Sequence, residues 1–224
     1  MVLEFFKGGS DQTLEQIEAT IVEMLRINRH TFDLAINTVV AGTDPESVDT
    51  EVHKSDRKVN KAERRIRKEL VVHTSVHGPQ TDFPRVLVAM SVIKDAERIG
   101  DYSKNIWDLA AAGVDLSEAE DAGRWLALRD RTSRSIAESA RIYHERDTEA
   151  AHALVQEMDE WTAAFDECVD EMMASEGPAS DAVSRALLCR YLKRITAHLM
   201  NVISSLVMPV HRLDYYDEKK ADRE

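Results

Sequence analysis

Glycine and proline are scarce in this sequence, with 8 and 5 among 224 residues. Sheet-rich and turn-rich folds need more of that punctuation. The chain therefore reads as a few long elements with short connections. Cysteine is scarcer still. Cys168 and Cys189 stand alone, in no metal-ligand or redox spacing. Both fall in helical periodicity and are expected to be small buried apolar residues, with nothing to indicate an oxidising compartment. No apolar run approaches the roughly 20 residues that span a bilayer. The opening MVLEFFKGG carries an acid and has no apolar signal-peptide core. A soluble cytoplasmic protein is expected. Positive charge is also short, 29 Lys and Arg against 41 Asp and Glu, a net of -12. Such a surface repels nucleic acid and anionic lipid unless its cations cluster. Cations and basic protein patches are the natural partners. A Gly-rich phosphate loop and a G-x-S-x-G elbow are both missing.

What the sequence does have is helical periodicity. Leu14, Ile17, Ile21, Leu25, Phe32, Ala35 and Val39 recur at steps of three and four, with a gap at Asn28. This predicts a first helix over about 13–40. Pro45 is placed to open a second, over about 46–77, with Val48, Val52, Val59, Ala62, Ile66 and Leu70 as its stripe. Gly78 and Pro79 end it. A third helix is predicted over about 83–112, a fourth from Ser117 to about 146, a fifth to about 175 and a sixth over about 181–211. HERDTEA, between the fourth and fifth, suits either a tight turn or a continuous helix. The charged tail after 213 is expected to fray.

The order of breaks repeats, since Gly177-Pro178 precedes the sixth helix as Gly78-Pro79 precedes the third. At a shift of 96 residues, Arg98, Ile99, Asn105 and Ile106 meet Arg194, Ile195, Asn201 and Val202. The expected fold is all-α, two pseudo-symmetric three-helix bundles side by side, one over 1–114 and a divergent one over 115–224.

Glu97 and Asp101, four apart, project from one face of the third helix. Asp56, Asn60 and Glu63 follow the apolar stripe of the second. Carboxylates brought together at a helix seam repel unless protonated or neutralised. A bound cation would neutralise them, and oxygen-only ligands suit a hard metal. Pairing with Arg57, Arg64 or Arg98 is the plainer account. His73 and His77 have the spacing of a helical metal pair but sit at a helix end, where solvated histidines are ordinary. Glu149-x-x-His152 is half of a di-iron motif without its other half. Val2, Leu3, Phe5 and Phe6 read as a loose tail or a docking peptide.

The run Lys94-Asp-Ala-Glu-Arg-Ile-Gly-Asp-Tyr-Ser-Lys-Asn-Ile106 resembles the signature of the PhoU family. Upstream, Gly78-Pro-Gln-Thr-Asp-Phe-Pro-Arg85 is similar to that family's Gln-Pro and Asp-Leu-Arg elements, with one extra residue. Asp56 and Asn60 match its Asp-x-x-x-Asp pair, and Glu63 its next acidic position. The resemblance implies a non-enzymatic negative regulator of phosphate uptake and of the phosphate-starvation response, with no catalytic residues. The implied partners are a phosphate transporter (ABC-type or sodium-phosphate cotransporter) and a sensor histidine kinase, which would make the protein peripheral to the inner membrane. The sequence leaves open whether it forms a homodimer. The implied cofactor is a divalent or trivalent metal (Fe, Mn, Zn or Mg) on Asp56, Asn60, Glu63, Glu97 and Asp101, in the first repeat only. In the second repeat Lys193 stands at the position of Glu97 and Ala197 at that of Asp101. Only Asp159 survives as a candidate there, and His198 is read as a surface or core histidine. A metal-dependent carboxylate-bundle enzyme and a metal-free helical adaptor are the alternatives.

Overall fold

The structure, a computed structural model, describes residues 10–217. Val2, Leu3, Phe5 and Phe6 lie outside them. The described residues form six helices and no strand. They are α1 (Ser10–Val40), α2 (Pro45–His77), α3 (Phe83–Ala111), α4 (Ala122–Glu145), α5 (Thr148–Met173) and α6 (Ala179–Ser204).

Local chemistry sets most boundaries. The Asp44 side chain accepts the N–H of Glu46, and Pro45 follows in the first turn, so α2 starts there. It stops at Gly78, whose φ of 51° is cheap only for glycine. Asp82 caps α3 by accepting the N–H of Arg85 at 3.2 Å. HERDTEA resolves as a tight turn. Arg146 adopts a left-handed φ of 54° to end α4, and Asp147 caps α5 through the N–H of Ala150. Two expectations need correction. The fourth helix starts at Ala122 and not at Ser117, because Leu116 is buried and its N–H donates to the Val39 carbonyl at 2.7 Å. That bond pins the link against α1. The sixth ends at Ser204, short of Pro209, which disfavours helical backbone at Met208. The chain continues through single turns at Val210–Arg212 and Tyr215–Asp217.

Helices α1, α2 and α3 pack on one another, as do α4, α5 and α6. The two bundles lie side by side, joined where α1 meets α4 and α3 meets α6. Those four helices form the middle, while α2 and α5 lie outermost. Position explains pattern. Every residue of α6 from 195 to 204 is buried, as an enclosed helix requires. The buried apolar side chains of both bundles form one continuous cluster.

The gap at Asn28 in the α1 stripe is a packing device. Asn28 is fully buried and donates from Nδ2 to the Ala96 carbonyl of α3 at 2.6 Å. Gly100 gives it room, since a Cβ there would stand 2.9 Å from Asn28 Oδ1. The glycine of Glu97-Arg-Ile-Gly-Asp101 is therefore fixed by the closeness of α1 and α3.

Candidate functional site: an acidic seam between α2 and α3

The five oxygen-bearing residues expected from the sequence fall along α2 and α3, which pack together. Glu63 is buried; Asp56, Asn60, Glu97 and Asp101 are half-buried. Asn60 donates from Nδ2 to Asp56 Oδ2 at 3.2 Å. Burial pushes the Asp101 carboxyl above its ordinary range, and the Glu97 and Asp56 carboxylates push it further. Asp56, Glu97 and Asp101 therefore share one electrostatic environment, built from two helices.

The countercharges were harder to foresee. Lys94 Nζ lies 2.5 Å from Glu97 Oε2 and 4.0 Å from Glu63 Oε1. Arg67 Nη2 holds the same Glu63 oxygen at 2.8 Å. Arg64, considered as a partner, bonds instead to the Asn60 carbonyl. Arg98 reaches Glu97 only at 3.9 Å. The sequence signal for Lys94 and Arg67 was their spacing, three from Glu97 and four from Glu63, which places each pair on one helix face.

The donor chemistry, oxygen only, suits a hard cation. The arrangement does not: an ammonium and a guanidinium already engage two of the four carboxylates. Among the described residues no group of three or more His, Cys, Asp or Glu is arranged to hold a metal ion.

The second repeat solves the same packing problem differently. The offset that lays Asp56 over Asp159 lays Glu63 over Asp166. Asp166 binds Lys193 of α6, with Nζ 2.6 Å from Oδ1. Asp159 is half-buried on α5, and Ala197 is buried. Cys168 and Cys189 are joined as a disulfide between α5 and α6. This corrects the reading of two unpaired buried thiols. Both were placed correctly in the interior, but a distance of 21 residues in sequence hid that facing helices bring their Cα atoms to 6.5 Å.

The weaker candidates take structural places. His198 leaves the second seam and bonds Asp95 of the first repeat. His73 is buried against His77, and burial lowers its pKa, with the His77 and Arg85 charges adding to the effect. Glu149 and His152 are exposed on α5. Arg85, from the Asp-Phe-Pro-Arg motif, binds Glu18 of α1 at 3.0 Å, and Arg146 at the end of α4 binds the same carboxylate. That motif serves the join between repeats.

Fold and seam together define a class: two-repeat helical bundle proteins with an acidic helix seam. Residues 21–110 match the family model described as the PhoU domain. By this match the first repeat resembles a PhoU domain. It is 24% identical over 203 residues to the phosphate-specific transport system accessory protein PhoU homolog of Xylella fastidiosa strain Temecula1, covering 88% of this chain and 83% of the relative. The homolog from strain 9a5c is equally similar. The fold matches the crystal structure of PhoU from Pseudomonas aeruginosa, with a TM-score of 0.73 and 18% identity over 89% of this chain and 97% of the other. It also matches the phosphate transport system regulatory protein PhoU from Streptococcus pneumoniae, with a TM-score of 0.74 and 17% identity over 96% and 99%. No described helix is long and apolar enough to cross a membrane.

Proposed function

We propose that this protein is a non-enzymatic negative regulator of phosphate uptake and phosphate-starvation signalling. It acts from the cytoplasmic side by docking on a phosphate transporter or sensor kinase. The observation that carries this reading is the first repeat: a PhoU domain over 21–110 whose signature residues build the α2–α3 seam. The relatives are phosphate transport accessory proteins by name.

One surface suits docking. Between 54 and 68, α2 carries Lys54, Arg57, Lys58, Lys61, Arg64, Arg65, Arg67 and Lys68, all exposed. On a chain of net charge -12 this is a local reversal of sign, and it favours an acidic protein surface as the partner. Metal binding belongs to the same reading as a competition. A hard cation on Asp56, Asn60, Glu63, Glu97 and Asp101 must displace Lys94, so any metal would change the charge of the face presented beside α2.

The experiment is a clean deletion complemented with wild type or with Arg57→Glu, Lys58→Glu, Lys61→Glu and Lys68→Glu combined. Deletion should alter phosphate accumulation and a starvation reporter. The reversed variant, folded by circular dichroism, should fail to restore them. Unchanged accumulation and reporter output in the deletion would defeat the reading.

A further inference from the structure

On α3 and α6, across the line between the repeats, a cavity of about 340 Å³ opens. Its cations come from both helices, Lys94 and Arg98 from α3 and Arg194 from α6. Arg98 and Arg194 occupy the same position in the two repeats, so the pseudo-symmetry itself brings two guanidinium groups to one cleft.

The buried side of the cavity is polar and has a fixed hydrogen-bond direction. Asp95, His198 and Asn201 line it and are 8%, 6% and 3% exposed. Arg194 Nη2 lies 3.2 Å from His198 Nε2. A guanidinium only donates, so Nε2 accepts and the ring proton sits on Nδ1. Nδ1 then donates to Asp95 Oδ1 at 2.8 Å, and Asn201 Nδ2 donates to the same oxygen at 3.1 Å. That second bond fixes the Asn201 amide. Its Oδ1 is left buried with no hydrogen-bond partner. Buried acceptors are rarely left so, and each one asks for a donor.

The cleft thus offers cations for ionised oxygens and one acceptor for a hydroxyl. We propose that it binds a small oxyanion that keeps a proton of its own near neutral pH, the chemistry of inorganic hydrogenphosphate. The ionised oxygens sit against Arg98, Arg194 and Lys94, and the P–OH donates to Asn201 Oδ1. Sulfate has no proton to give and leaves Asn201 unsatisfied. A phosphate monoester, whose second pKa is near 6, is mostly unprotonated as well. This site shares Lys94 with the acidic seam, so the two arginines carry it, and it does not depend on the regulatory reading.

The test is calorimetric titration of the purified full chain, at constant ionic strength near pH 7, with sodium phosphate, sodium sulfate and O-phosphoserine in turn. Phosphate should bind at least about tenfold more tightly than either other anion, the order expected for one unsatisfied buried group. Arg98→Ala with Arg194→Ala should weaken phosphate binding by about tenfold or more. Asn201→Leu should erase the preference over sulfate. Asn201 is buried, so its variant is checked by thermal melting, and the arginine pair tests the site independently. Absence of phosphate binding to wild type, equal binding of sulfate, or phosphate binding indifferent to the arginine pair would each overturn the proposal.

Discussion

The two repeats close the same helix seam by opposite means. Where α2 meets α3, four carboxylates and Asn60 line the seam, and Lys94 and Arg67 pair with two of the carboxylates, Glu97 and Glu63. Where α5 meets α6, Lys193 pairs with Asp166 and a disulfide joins the helices. The backbone plan tolerates both. A covalent link constrains the unfolded chain and needs no solvent, whereas clustered charge is stable only while its countercharges stay. The first seam therefore depends on its countercharges, whereas the second is held by a covalent link.

The largest expected effect lies in the second repeat. Removing the disulfide with Cys168→Ala and Cys189→Ala should destabilise the protein by about 3 kcal/mol, as expected for a closed loop of this size. Differential scanning calorimetry with and without reductant checks it, and a drop of about 6–12 °C in Tm is anticipated. An unchanged Tm would remove the contrast between the seams.

In the first repeat, Gly100→Ala should cost about 1–3 kcal/mol through overpacking. The new Cβ meets Asn28 Oδ1, and the bond from Asn28 to Ala96 stops that side chain from swinging away. Urea denaturation measures this loss. A neutral result would mean that α1 and α3 are less tightly joined than their geometry indicates.

The counterion role of Lys94 gives a sharper test. Lys94→Ala should raise the affinity of the protein for Mn²⁺ by about tenfold, in line with one close charge pair at a partly exposed site. Adding Glu97→Ala and Asp101→Ala should abolish the gain, and no ion should bind near Lys193 and Ala197. Calorimetric titration of the three proteins decides it. Equal affinity in wild type and Lys94→Ala would show that Lys94 does not compete.

The smallest effect concerns Asp101. Its folded-state pKa is raised, so its contribution to stability is present below the unfolded value and is lost as pH rises through the folded one. At neutral pH the ionised group opposes folding. Asp101→Asn, measured in chelator, should therefore be more stable than wild type at pH 7. That advantage should fade as pH falls toward 4. A variant less stable than wild type at pH 7 would show that the carboxylate is fully compensated there.

Much of this was readable from residues. The stripe of Leu14 to Val39, the Pro45 start and the paired Gly-Pro breaks gave six helices in two sets of three. The spacing of Asp56, Asn60, Glu63, Glu97 and Asp101 gave two helices facing each other with oxygen atoms. Helix ends set by distant contacts were not readable. Leu116 delays α4 through a bond to Val39, which no local pattern announces. The role of Lys94 was visible as spacing but not as fact, because i and i+3 partners compete with solvent and with other charges until burial decides among them.

Sequence by itself determined periodicity, repeat order and the loss of carboxylates in the second repeat, since each rests on residue identity and spacing within one helix. Tertiary structure alone decided the Cys168–Cys189 link, the close approach of Asn28 to Gly100, and the meeting of Arg98 with Arg194 above Asp95, His198 and Asn201. Those depend on which faces of separate helices are pressed together. That choice is made by burying apolar surface across the whole core, a sum over distant residues that no short stretch of sequence contains.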